Sequence, residues 1–306
     1  MTTVPRDEGA NSVASVTSIR RYPVKSMQGE ELGRTDITAR GVIGDRAYAV
    51  MDRATGFVAS AKHPRKWAKL LACHAAFLHQ PEAGAPYPPV RVTLPDGSAL
   101  TSDQADADDL LSRALGRDVS LRAIIPGPLV READRSPSDT AGTDQVIREE
   151  PMAVASPPGT FFDYAPVHVL STNTLASLGV LHPSGRFDAR RFRPNLVVTV
   201  AGSGMPFPEH AWLGHVMTAG ARVRLMMIDP CPRCVVTTLA QGALPHDPGI
   251  LRTIAQHSAV ASVTLAPGVL LPAVAGVYAT VLAEGFLARG DSIALGPTAG
   301  LPSPVP

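Results

Sequence analysis

The apolar and polar positions of this chain form short runs, not long amphipathic stretches. Residues 13–24 alternate loosely and stop at Pro23, which reads as an edge strand, because proline has no N–H to give to a ladder. Residues 32–38, 47–52 and 57–59 predict further short strands, with turns at 41–44 and 53–56. Ala54-Thr55-Gly56 between two apolar runs is a hairpin signal. Residues 90–94 and 99–100 flank Pro95-Asp96-Gly97, where Pro presets φ and Gly accepts a positive one. Ser102 or Asp103 then caps a helix to about Leu115, closed by Gly116. The acidic side chains at its start, Asp103, Asp106, Asp108 and Asp109, suit a helix dipole and a solvated face better than a metal. A strand over 119–125 follows.

From 126 to 159 periodicity is lost and Pro, Ser, Asp, Glu and Arg dominate, the composition of a linker or long surface loop. Beyond it the pattern predicts strands at 167–170, 195–200, 215–217 and 223–228. Helices are expected near 172–178 and 248–257, the latter after a turn at 241–245. Strands near 277–283 and 292–295 close the chain. The expected fold is mainly β with some α: two mainly β units joined by a loose linker, without internal repeats. Residues 258–283 carry no formal charge and are long enough to cross a bilayer. Pro267, Gly268, Pro272 and Gly276 split that run into strand-length pieces, so it reads as a buried loop and strand, and no membrane span is expected.

Composition narrows the function. With 45% hydrophobic residues in 306, the chain can bury a sizeable core. Its 28 basic and 27 acidic residues leave a formal charge of +1, so bulk charge does not suit it to nucleic acid. Any anion it binds must be held by a local cluster. The 29 prolines and 26 glycines favour turns and short strands. Cys73, Cys231 and Cys234 are too few for a disulfide framework or a four-cysteine iron–sulfur cluster. The first residues lack the apolar core of a signal peptide, which suggests a cytoplasmic protein. The nine histidines are scattered, and no HxxxH, GxSxG, P-loop or dinucleotide fingerprint occurs.

Three segments carry candidate chemistry. In Cys231-Pro232-Arg233-Cys234, a guanidinium beside a thiol favours the thiolate, which binds soft metals and attacks electrophiles. Zinc would need a second cysteine or histidine pair. A redox dithiol would need a helix after it, whereas Val235-Val236-Thr237-Thr238 are strand formers. Two small buried residues in a tight turn is the alternative. In Arg190-Arg191-Phe192-Arg193-Pro194-Asn195, the arginines suit an anion or a solvated turn with surface ion pairs. Lys25-Ser26 at a strand end and Gly44-Asp45-Arg46 are either phosphate ligands or surface charge.

Taken in order, Tyr22-Pro23-Val24-Lys25-Ser26, Gly44-Asp45-Arg46, Phe192-Arg193-Pro194-Asn195, Cys231-Pro232-Arg233-Cys234 with Thr237-Thr238, Gly276-Val277-Tyr278 and Gly290-Asp291 resemble the MOSC proteins that carry an N-terminal β-barrel domain. Relatives of that type include the mitochondrial amidoxime-reducing component and its bacterial counterparts. The resemblance implies an N-terminal β-barrel-like domain over 13–125, a linker or long loop over 126–159, and a C-terminal MOSC β-barrel domain over 160–296. It implies a molybdenum cofactor, with Cys234 as metal ligand and catalytic residue. Lys25, Ser26, Arg46, Arg193 and Asn195 then match positions holding the pterin and its phosphate, Arg233 lies beside the metal, and Cys231 is a second cysteine that is not a ligand. Pyridoxal phosphate is not expected. The implied activity is reduction of N-oxygenated small molecules, with electrons from a separate ferredoxin- or flavoprotein-type donor. A cofactor carrier or a sulfur-transfer protein using Cys234 fits the same motifs. Met27-Gln28-Gly29, the segment 161–166 and Leu239-Ala240-Gln241-Gly242 depart from the family pattern, so contacts there are not carried over.

Overall fold

The computed structural model describes residues 13–123, 127–135, 146–157, 159–202 and 204–298. Seven of its strands close on themselves: β1 (Ala14–Arg21), β2 (Val167–Ser171), β3 (Leu196–Val200), β4 (His215–Ala219), β5 (Val223–Pro232), β6 (Val274–Ala283) and β7 (Ser292–Thr298). The order around the barrel is β3-β2-β6-β5-β4-β7-β1, and β1 returns to β3. Every pairing is antiparallel except β2 with β3, which are joined through the helix Thr172–Leu181. Val16, Ile19, Val169, Leu196, Val198, Met217, Leu225, Met227 and Val277 fill the interior. Strands account for 39% and helices for 18%, so the expected class, mainly β with some α, holds.

The first strand is not an edge, contrary to expectation. It pairs with β3 on one side and with β7 and Glu30–Leu32 on the other, and Pro23 lies beyond its last residue, where no ladder bond is lost. Its alternation is loose because the register slips between Val16 and Ser18; the bulge moves the buried set from Ala14 and Val16 to Ile19 and Arg21. Further N-terminal strands also join the far end of the chain: Arg34–Thr38 pairs with Gly285–Ala288.

The remainder of the N-terminal half has its own core. Tyr48–Asp52 pairs with Val119–Ala123, and His74–Phe77, Val90–Thr93 and Ala99–Thr101 form a meander. Residues 124 and 125 of the expected strand lie outside the described residues. Val24, Val50, Trp67, Leu70, Val92, Leu100, Leu111 and Leu115 pack between these sheets. The helix there spans Ala107–Leu115, starting later than expected and without a side-chain cap. Ser102 is already committed, its Oγ accepting from the Val90 N–H. Gly116 closes the helix in the left-handed region, φ 71°. The helical turns Pro64–Trp67 and Ala68–Ala72 were not anticipated; they are too short to show a helical period.

Within 126–159, expected as a linker or long loop, Val130–Asp134 and Ile147–Pro151 pair as antiparallel strands. The uncharged run 258–283 forms a small ladder, Ala259–Ala261 on Leu270–Pro272, and then β6. Among the described residues no helix is long and apolar enough to cross a membrane.

Candidate functional site

Three turns meet where the barrel abuts the N-terminal core, and one buried carboxylate joins them. Asp45 is 5% exposed. Its Oδ1 accepts from the Tyr22 N–H at 2.7 Å, and its Oδ2 accepts from Asn195 Nδ2 at 2.8 Å and from Arg46 Nη1. One side chain from Gly-Asp-Arg thus fastens the turn after β1 to the turn before β3. A charged acceptor with three donors is well satisfied even without water.

Around this junction lies an open cleft. Lys25, Ser26, Arg46, Arg193, Asn195, Arg233 and Cys234, the seven residues singled out from the sequence, all line it. Three of them take a backbone conformation that L-residues seldom adopt: Ser26 at φ 63°, Arg46 at φ 47° and Arg193 at φ 56°. Such strain is held in place by surrounding contacts and concentrates at binding sites. Arg193 is the left-handed cap of the short helix Ala189–Phe192, which turns its side chain away from those of its neighbours. The three arginines of this segment therefore differ. Arg190 pairs with Asp188 at the surface. Arg191 is fully buried and donates to the carbonyls of Arg186, Thr237, Leu239 and Pro245. Arg193 lines the cleft and donates to Met27 O at 2.6 Å.

The electrostatics favour an anionic guest. Among the described residues, Lys25, Lys62, Arg46, Arg193 and Arg233 line the cleft against a single carboxylate, Asp163. Burial pushes Lys25 down to about 7, although Asp163 at 2.7 Å opposes the shift. Burial alone would raise Asp163, but Lys25, Lys62 and Arg131 together hold it well below the usual carboxylate range. Asp163 is 37% exposed, so water entering the cleft screens part of that attraction. Burial and the charge of Arg46 bring Arg193 down to about 10. Burial and the Arg233 charge keep His168 neutral, well below its ordinary value.

The cysteines occupy unlike environments. Cys231 is fully buried in β5, whose register slips between Met227 and Asp229 and again between Pro230 and Pro232. Those bulges accommodate both prolines. Arg233 Nη1 donates to Cys231 Sγ at 2.6 Å and Nη2 to Phe192 O at 2.6 Å. Burial nonetheless pushes the Cys231 thiol up. Cys234 is half-buried and lies at the start of a single 3₁₀ turn, Val235–Thr238. The strand formers Val235, Val236, Thr237 and Thr238 make this turn and not a strand. Arg191 grips the carbonyls of that turn, and Thr237 and Thr238 hydroxyls donate back to Cys234 O and Val235 O.

These residues fit a group with an anionic end and a soft metal. Arg233 Nε is a buried donor without a hydrogen-bond partner among the described residues, suited to an acceptor on a guest. Of the two thiols that line the cleft, both soft donors, that of Cys234 is the more exposed. Among the described residues no cluster of three or more His, Cys, Asp or Glu side chains could hold a metal alone, so a metal at Cys234 would take its remaining ligands from a non-protein group. Asn195 differs from its expected role: its amide is engaged with Asp45, Arg20 O and the His168 N–H, so it acts on the cleft through Asp45.

Sequence reasoning missed Asp163, Lys62, Arg131 and His168, and it gave no role to Tyr278, part of a quoted motif, whose ring packs edge-on against Tyr164 at 5.3 Å. Only Gly276 carried a readable signal. A Cβ there would meet His168 Nε2 at 2.3 Å and Val169 O at 2.6 Å, and its φ is 86°.

The family model for the MOSC domain matches residues 157–294, and that for the MOSC N-terminal beta barrel domain matches 13–118. No curated protein matches the chain. Among solved structures, the YuaD protein from Bacillus subtilis is 11% identical over 92% of this chain and 94% of its own, with a TM-score of 0.44. YiiM from Geobacillus stearothermophilus is 15% identical over 57% of this chain and 74% of its own, with a TM-score of 0.31.

Proposed function

The chain belongs to the MOSC-domain proteins with an N-terminal MOSC β-barrel domain, and from that premise we propose a molybdenum-cofactor-dependent oxidoreductase that reduces N-oxygenated small molecules. MOSC domains are associated with molybdenum-cofactor sulfurase and oxidoreductase-type proteins. The observation that carries the reading is a half-buried thiol in the wall of a cleft with five basic side chains and one carboxylate.

In this reading Cys234 binds the metal, and Arg233, braced on Cys231 and Phe192 O, offers its Nε beside it. Lys25, Arg46 and Arg193 hold the phosphate and pterin, with Ser26 in its strained turn beside them. Asp45 and Asn195 set the angle of Arg46. When bound, the cofactor supplies two-electron redox chemistry that removes oxygen from the substrate. Overall, an N–OH group, two electrons and two protons become N–H and water. Electrons come from a separate protein, and Lys25 Nζ, near neutrality, holds a proton within the cleft. Phe162, Phe192 and Tyr164 form apolar walls that limit water.

The test is turnover of an amidoxime and a hydroxamate by protein purified from a cofactor-producing host, using a chemical reductant and then ferredoxin-type donors. Amine or amidine product that disappears in Cys234→Ser supports the reading. Full cofactor with no turnover under any donor would replace it with a carrier or sulfur-transfer role.

A further inference from the structure

Arg193 lines a second hollow as well as the cleft. Arg20, Tyr22, Gln28, Glu30 and Arg190 share in its lining. It is much the smaller of the two, which leaves room for a small ion or the end of a larger molecule.

Its polar atoms are unevenly satisfied. Tyr22 is 3% exposed, and its buried hydroxyl has no hydrogen-bond partner among the described residues. The same is true of Arg20 Nε and Arg193 Nη2. Unpaired buried polar groups are rare and costly, and three on the side chains lining one hollow call for a shared acceptor. The carboxylate that lines it does not fill that role: Glu30 Oε1 is taken by the Nε of fully buried Arg21 at 2.9 Å. The carboxylates that engage Arg20 and Arg190, those of Glu31 at 3.1 Å and Asp188 at 2.7 Å, do not line it. The guanidiniums of Arg46 and Arg193 sit over the Tyr22 ring, 4.7 and 4.3 Å from its centroid, so the ring is fixed by contacts that leave its hydroxyl free.

We propose that this hollow binds a tetrahedral oxoanion of the phosphate class, held by Arg20, Tyr22 and Arg193. The proposal goes beyond the cofactor reading, with which it shares only Arg193. Guanidinium and phenol donors match the several acceptor oxygens of such an ion. The ion is either free or the terminal phosphate of an ester.

The test is calorimetric titration of the full chain with inorganic phosphate and, separately, with adenosine monophosphate, in low-chloride buffer. Arg20→Gln and Tyr22→Phe are compared with Arg233→Gln, which alters only the larger cleft. The expected result is binding that Arg20→Gln weakens at least about tenfold and Tyr22→Phe measurably, with Arg233→Gln unchanged. Arg20 is partly exposed and Phe keeps the Tyr22 ring, so both variants should fold. Binding of the monophosphate alone, with the same dependence on Arg20 and Tyr22, supports the site and identifies the ester. Binding lost only in Arg233→Gln, unchanged in both hollow variants, or absent for both ligands overturns the proposal.

Discussion

Asp45 is the most informative single residue to perturb. Asp45→Asn keeps shape and volume but replaces one acceptor oxygen with a donor amide. Oδ1 can still accept from the Tyr22 N–H, but the new Nδ2 faces Asn195 Nδ2 and Arg46 Nη1, both donors. The Asp45 side chain is 0% exposed and that of Arg46 14%, so water does little to relieve the conflict. Breaking a buried charged pair at one partner costs about 3–5 kcal/mol. At roughly 2–4 °C per kcal/mol for chains of this order of size, Tm falls by about 6–20 °C. The assay is differential scanning fluorimetry with urea unfolding as a second measure. Asp96→Asn, in an exposed turn where Asp96 bonds to Ser98, is the charge-matched control and should leave Tm essentially unchanged. A loss at Asp45 no larger than the control's would refute the view that this carboxylate joins the three turns.

Other outcomes follow from the same contacts. Lys25, lowered to about 7 by burial, is increasingly uncharged above neutrality; an anionic guest favours its charged form, so anion retention should fall as pH rises through about 7. Lys25→Arg should flatten that dependence, as read by cofactor retention between pH 6 and 9. Arg191→Met strips four carbonyls of their donor, and amide exchange over 235–245 should speed up. Leu111→Ala, at a fully buried site in the N-terminal core, should cost about 2–5 kcal/mol in urea unfolding without changing cofactor content.

What was legible depended on how locally each feature is encoded. The seven lining residues sit in short motifs that, read singly, fit surface charge or a tight turn as well as an anion or a metal; the family resemblance carried by their order assembled them. Helix 107–115 and its Gly116 cap follow from a local period. Barrel closure does not: Val16 opposes Val198 across a separation no local pattern reports. Asp163, Lys62 and Arg131 were hidden for a related reason. They belong to three unrelated segments and acquire meaning only as one ion cluster, and Arg131 comes from a stretch whose composition reads as a loop. The turn after Cys234 misled because valine and threonine favour strands, yet Arg191 satisfies its carbonyls from outside and makes a 3₁₀ turn cheaper there.

The central claim is that Cys234 and the cationic cleft hold a molybdenum cofactor. Its most direct test is metal analysis by mass spectrometry, with fluorescence of the oxidised pterin, on freshly purified wild-type protein and Cys234→Ser from a cofactor-producing host. The account predicts near-stoichiometric molybdenum and pterin in the wild type, and loss of molybdenum in the variant. Wild-type protein with neither, or Cys234→Ser retaining full molybdenum, would contradict it.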